Sequence, residues 1–152
     1  MKNAHGFGVR FAAVALVVAA TTPAAANAPA GNYTIAAGVV HDVKTKLDWQ
    51  QSVPATSYSW AAAKAYCAGM NATLGGKGWR LPTIKELQTL VDRSQAAEPT
   101  IDQAAFPNTP PNFFWSSTPL AGSPSFIWCV NFSYGGAGNL EDSDVHNVRC
   151  VR

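Results

Sequence analysis

The 152-residue chain carries 11 Lys and Arg against 9 Asp and Glu, a formal net charge of +2, with 47% hydrophobic residues. Two of the basic residues, Lys2 and Arg10, lie in the first ten positions, so the remainder of the chain is formally neutral. A neutral chain without a basic cluster excludes nucleic-acid binding driven by phosphate contacts and simple electrostatic capture of polyanions.

The amino end reads as a secretory signal peptide. Lys2 and Arg10 form its positive region, residues 11–20 its apolar run, and Ala24-Ala25-Ala26 its small-residue cleavage site. Cleavage is expected after Ala26. The run is too short to span a bilayer and no later run is long enough, so no membrane insertion is expected after cleavage. The expected organisation is a signal peptide over 1–26, a flexible leader over 27–32 and one domain over 33–152. Removing 26 of 152 residues leaves 126, enough for a single core. Export implies a secreted or periplasmic, oxidising environment.

Residues 33–35 and 39–42 are predicted to be extended, with Gly38 between them and a polar turn at 44–46. A short strand over 47–50 is expected to carry Trp49 inward, and 53–58, with Pro54, reads as a loop. Ser59 is a good N-cap for a first helix over about 60–70. Trp60, Ala63, Cys67 and Met70 share a face of it, which presents Cys67 to the core. Residues 71–78, with three glycines, read as a loop.

The densest local signal follows, in Gly78-Trp79-Arg80-Leu81-Pro82-Thr83-Ile84-Lys85-Glu86-Leu87. Pro82 favours an extended Leu81. Thr83 and Glu86 make a capping box, and Pro82 with Leu87 fits a hydrophobic staple. Ile84, Leu87, Leu90 and Val91 give the second helix one apolar face, with its end near Arg93. Arg80 is read as buried and held in a structural salt bridge to Asp42 or Glu86.

Residues 94–111 contain four prolines and read as a long irregular loop, with one helical turn over 101–106. Strands are predicted over 113–117 and 126–132, the latter rich in aromatic and β-branched residues. A glycine turn covers 133–138, and 140–144 is acidic and exposed. A last strand over 145–151 places Val148 and Cys150 on one side against Arg149 on the other, with Arg152 just beyond its end, and ties the chain's ends together. The order of elements is α+β: two helices, short antiparallel strands and a long irregular loop. Cys67, Cys129 and Cys150 are odd in number, so one thiol is left over or pairs with another chain. No Cys-x-x-Cys is present, so neither a redox motif nor a zinc knuckle is indicated.

Five pieces occur in order: Val40-x-Asp42-x-x-Thr45-x-Leu47-x-Trp49-Gln50, Trp60-x-x-Ala63-x-x-Tyr66-Cys67, the Gly78-to-Leu87 block, Trp115-Ser116-Ser117-Thr118, and Val148-Arg149-Cys150-Val151-Arg152. Together they resemble the Lcl C-terminal domain family, named for the C-terminal domain of a bacterial collagen-like adhesin. The resemblance covers nearly all of 33–152. It implies a C-type-lectin-like fold, a bacterial exported or surface protein and, for the namesake, adhesion to sulfated glycans. Unlike the adhesin, this chain has no collagen-like Gly-x-y stalk and no basic surplus after the signal. In lectin-like folds a helix cysteine bonds to one in the last strand, which implies Cys67–Cys150 and leaves Cys129 free and buried. The competing pairing is Cys129–Cys150 between neighbouring strands. As a framework, Trp49, Trp60, Trp79 and Trp115 are read as core.

Candidate catalytic groups carry little. Cys129, between Trp128 and Val130, has His146 and His41 as conceivable bases, but an apolar strand favours an inert thiol. Ser116 and Ser117 lack a nucleophile elbow. Glu141, Asp142, Ser143 and Asp144 do not match a calcium loop, and Glu98-Pro99-Thr100 lacks the Asn of calcium-dependent lectins. Asn32-Tyr33-Thr34, Asn71-Ala72-Thr73 and Asn131-Phe132-Ser133 are glycosylation sequons that matter only in a eukaryotic secretory pathway. No catalytic residue, metal or cofactor is therefore expected. The expected function is an exported, non-catalytic binding or adhesion module whose ligand is a glycan or a surface protein. The loop 94–111 and the region 133–147 would face the ligand, with Asn131, Asp142, Asp144 and His146 as contacts. Alternatives are an envelope structural or assembly protein and a thiol-dependent enzyme.

Overall fold

A computed structural model describes residues 32–152. The expected signal peptide, and all of the leader but Asn32, lie outside the described residues. The described chain is α+β, with two three-stranded antiparallel sheets and three short helices.

The first sheet is β1 (Tyr33–Ala36), β2 (Val39–Asp42) and β3 (Asp48–Gln50), in that order. Ala37 and Gly38, both at positive φ, make the tight turn between β1 and β2. The register places Val40 opposite Trp49 on the face that becomes fully buried. His41, opposite Asp48 and Thr34, points to the other face.

The helices depart from expectation in length. The first runs as α1 (Trp60–Ala68) and continues past Gly69 as α2 (Met70–Leu74), so part of the expected loop is helical. Ser59 is the N-cap of α1, yet its side chain makes no capping bond; the Trp60 amide donates to the Asp142 carbonyl at 3.1 Å. The second helix, α3 (Ile84–Gln88), stops five residues before Arg93. After Gln88 the bonds shorten to i→i+3, from Thr89, Leu90 and Val91 to Glu86, Leu87 and Gln88. The Thr89 hydroxyl also donates to the Glu86 carbonyl at 2.7 Å, which competes with the next helical bond. Leu87 and Leu90 are buried, as the apolar face requires.

The start of α3 is built as its sequence indicates. The Glu86 amide donates to Thr83 Oγ1, and Glu86 Oε2 accepts from the Thr83 amide at 2.8 Å. Arg80 forms a bidentate pair with Glu86, both bonds at 2.8 Å. The Arg80 side chain is 47% exposed, so the arginine is a surface brace and not a buried one. Hydrogen bonding from Arg80, aided by the Thr83 amide, holds the Glu86 carboxyl down at about 2. A carboxyl depressed in the folded state contributes stability above its unfolded value near 4.5, and loses it as pH falls through about 2. Solvent screens this exposed pair to roughly 1 kcal/mol. Glu86→Gln is expected to cost about that at pH 7, with the difference from wild type vanishing by about pH 2, read by urea denaturation across pH.

The second sheet is β4 (Phe113–Leu120), β5 (Ser123–Asn131) and β6 (Gly136–Glu141). Its apolar runs are continuous because both faces are covered. Phe114 and Val130 belong to a core with Trp49, Leu87, Phe106 and Val151. Trp115 and Cys129 belong to a second core with Cys67, Trp79, Leu81 and Cys150.

The last segment is not a regular strand. It is a strap running between the two sheets, held by isolated bridges. Asn147 pairs with Phe114 in parallel, and Val151 pairs antiparallel with both Trp49 and Arg80. Val148 and Cys150 face one core, as expected. The opposite side is not solvent: Arg149 and Val151 are fully buried there. Cys67 and Cys150 form the disulfide, with Cα atoms 5.3 Å apart, and Cys129 is free and buried.

Candidate functional site

The four residues expected to contact a ligand do not form one site. Asn131 opposes Gly136 at one end of the β5–β6 ladder, and Phe126 opposes Glu141 at the other. Five residue steps, roughly 17 Å, therefore separate Asn131 from the start of the acidic turn. Asn131 Oδ1 accepts from the Ser133 amide at 2.8 Å and shapes the turn after β5. His146 packs edge-on against Trp115 and Phe113, with ring centroids at 5.0 and 5.7 Å. Burial lowers its pKa, against the pull of Asp144, and its Nε2 is buried without a hydrogen-bond partner among the described residues. It is a packing residue. Asp142 serves through its backbone, between Ser125 and Trp60, and Asp144 lies exposed in the turn.

The long loop is also not a free ligand-facing surface along its length. Ile101, Ala105, Phe106 and Thr109 are buried. Asp102 closes a single turn, accepting from the Ala104 amide at 2.9 Å while the Phe106 amide donates to its carbonyl. Proline-rich irregular backbone here supplies core side chains that the short helices cannot.

A polar groove of about 380 Å³ lies instead between the first hairpin and the exit of α3. One wall is Asn32, Tyr33, Asp42, Lys44 and Thr45; the other is Thr89 to Asp92, Ser94 and Asp102. Each aspartate is placed by a local turn. The Asp42 carboxylate accepts from the Lys44 amide at 2.8 Å and the Thr45 hydroxyl at 2.7 Å. Asp92 accepts from the Ser94 amide at 2.9 Å, and Asp102 folds back on its own turn. Tyr33 is half-buried, with its ring edge on Phe106 at 5.2 Å. Burial first, then the carboxylates of Asp42, Asp102 and Asp92, push its phenol up to about 12, so it remains a hydrogen-bond donor at neutral pH. Of the groove residues, Ser94 and Asp102 fall in the loop 94–111 that was expected to face a ligand, and the others lie outside both expected stretches. Each Asp signals only its own turn, and their convergence is a tertiary fact.

On the other face of the hairpin, His41 Nδ1 and Asp48 Oδ1 lie 2.7 Å apart, and Asp48 Oδ2 accepts from Arg152 Nε at 3.1 Å. Arg152 stacks on Trp79 at 5.0 Å and donates to the Gly75 carbonyl. This row ties the strap to β3 and the glycine loop. Gly76 lies at φ 76°, a left-handed conformation that favours glycine, and a Cβ there would displace the Arg152 guanidinium. Among the described residues, no group of three or more His, Cys, Asp or Glu is placed to hold a metal ion.

The fold and groove define a small α+β domain with a disulfide-pinned strap and a polar surface cleft. The model of the Lcl C-terminal domain family matches residues 38–152, and the chain belongs to that family. The match begins at the hairpin turn, so β1, with Tyr33, precedes it. No curated protein matches the chain.

Proposed function

We propose that this chain is an exported, non-catalytic binding module of lectin-like fold, and that it takes a glycan in the groove between the first hairpin and α3. The observation that carries this is the lining of the groove: an aromatic ring, hydroxyls, an amide and carboxylates around about 380 Å³. A small set of convergent polar groups beside an aromatic face suits a hydroxyl-rich ligand. The bond from α1 to the strap, Cys67–Cys150, supports the lectin-like relation. It also supports export, since such bonds persist in oxidising compartments. No described helix is long and apolar enough to cross a membrane.

The non-catalytic reading has its own support. Burial pushes the Cys129 thiol up to about 11, which leaves negligible thiolate at neutral pH. Ser116 Oγ donates to the Trp128 carbonyl at 2.6 Å and is fully buried. Titrating the ¹⁵N-labelled protein with a panel of oligosaccharides tests the proposal. At least one is expected to shift the amides of Tyr33, Thr45 and Ser94 together. Shifts confined to the β6 side, at Asn139 or Asp144, would refute the groove.

A further inference from the structure

We propose that the open edge of the second sheet pairs with the same edge of a second copy of this chain. β6 lies antiparallel to the partner's β6 about a two-fold axis, and two three-stranded sheets become one. The inference is independent of the groove.

The strap closes one edge of each sheet, pairing with β3 at Trp49 and with β4 at Phe114. The edges it leaves open are β1 and β6. The Asp142 amide donates to the Ser125 carbonyl at 2.8 Å, which sets the alternation along the β5–β6 ladder. Gly138 and Leu140 turn their amides and carbonyls toward β5, while Ala137, Asn139 and Glu141 turn theirs away. Among the described residues, no backbone group meets the amides and carbonyls of Ala137 and Asn139. All three outward residues are exposed. Open edges are normally blunted by Lys, Pro, a bulge or short length. β6 has none of these: it runs six residues in unbroken register with β5, whereas β4 slips register against β5. β1, the other open edge, has only four.

Charge at the two ends of β6 selects a second copy as the partner. Glu141, with Asp144 just beyond it, ends the strand in exposed carboxylates. At its start the Arg93 guanidinium donates to the Gly135 carbonyl at 2.8 Å. Arg93 is exposed, with no carboxylate within 4.0 Å among the described residues. The edge is thus basic at one end and acidic at the other, and antiparallel pairing with an identical edge sets each end against its opposite. With the axis at Gly138, Ala137 exchanges bonds with the partner's Asn139. Glu141 then comes opposite the partner's Gly135, beside the partner's Arg93. No like charges face each other across the pair. The two-fold repeats every contact, so both ends are satisfied at once.

The test is sedimentation equilibrium of the full chain from about 5 to 500 µM, with ¹⁵N–¹H spectra over the same range. A monomer–dimer equilibrium is expected, with the amides of Ala137 and Asn139 shifting and gaining exchange protection as concentration rises. Asn139→Pro removes an outward amide and leaves the β5 ladder its bonds, so it is expected to abolish the dimer in a folded chain. Glu141→Arg and Arg93→Glu are each expected to weaken the dimer roughly tenfold, by setting like charges at both ends. Mixing these two variants is expected to restore it, because each end meets its opposite in the mixed dimer; a folding defect is not rescued this way. A chain that stays monomeric at the highest concentration would overturn the pairing. So would a dimer that survives Asn139→Pro, or one whose protection appears at Tyr33 and Ile35 of β1 instead. Charge reversals that leave the dimer unchanged, or a mixture no stronger than either variant alone, would overturn the two-fold arrangement.

Discussion

An Arg149→Met variant is expected to lose about 3–5 kcal/mol of stability, the cost of removing a buried charged donor from its fixed partners. Arg149 is fully buried, on the strap's inner side. Its Nη1 donates to the carbonyls of Gln50 and Gln51 at 2.7 and 2.6 Å, and Nη2 to Thr109 Oγ1 at 2.7 Å. The guanidinium lies over the rings of Phe106 and Phe114, at 4.6 and 5.9 Å. No carboxylate pairs with it among the described residues. Burial drags its pKa down to about 9, so it is still charged at neutral pH. Carbonyl dipoles and ring faces thus offset a charge that elsewhere would need an anion. Methionine approximates the volume but leaves three acceptors without their charged donor. The expected fall in Tm is on the order of 10–20 °C for a domain of this size. Lysine, with a compact ammonium in place of the planar fork, is expected to lose about 2 kcal/mol. Were Arg149→Met neutral or stabilising, desolvation would dominate, and the cage would serve register rather than stability.

That arginine also marks the limit of what the sequence discloses. Hairpin, helix start and strand runs are written locally, in Gly38, in Thr83 with Glu86, and in the aromatic run of β5. They appear where the patterns place them. The side of the strap that Arg149 faces was legible from alternation, but not what covers that side. Arg149 looks like an exposed charge until the loop folds Phe106 and Thr109 over it. Arg80 invites the opposite error: its neighbours Trp79 and Leu81 are buried, yet alternation turns its side chain outward to Glu86. The shortness of α3 lies in Thr89, whose hydroxyl diverts a helical carbonyl, a choice that propensity ranks cannot decide. The candidate groove was the least legible feature. Its three aspartates stand 50 and 10 residues apart in the chain, and each has a complete local explanation.

Removing the Cys67–Cys150 bond is expected to cost about 4–5 kcal/mol, the loop-closure entropy of a cross-link of this span in the chain-entropy model. The two cysteines are 83 residues apart in sequence. The loop they close begins at the end of α1 and contains α2, α3, the irregular loop and the whole second sheet. The bond pins Val148–Arg152 at its centre, where the strap already donates and accepts in both directions. The Gln50 amide reaches the Cys150 carbonyl at 2.9 Å, and Arg80 and Val151 exchange two bonds at 2.9 Å. Those bonds mean that the folded strap need not move when the cross-link goes; the loss falls on the unfolded side, where the freed chain gains conformations. The experiment is urea unfolding of the Cys67→Ala/Cys150→Ala double variant, which leaves Cys129 without a partner for mispairing. The expected result is a lower midpoint, an m-value raised by the more expanded unfolded chain, and a folded-state spectrum close to wild type. A loss below about 1 kcal/mol would place the strap's security in its hydrogen bonds and in Arg149 instead. A folded-state spectrum changed throughout 146–152 would show that the sulfur bridge positions the strap in the native state, and not only restrains the unfolded chain.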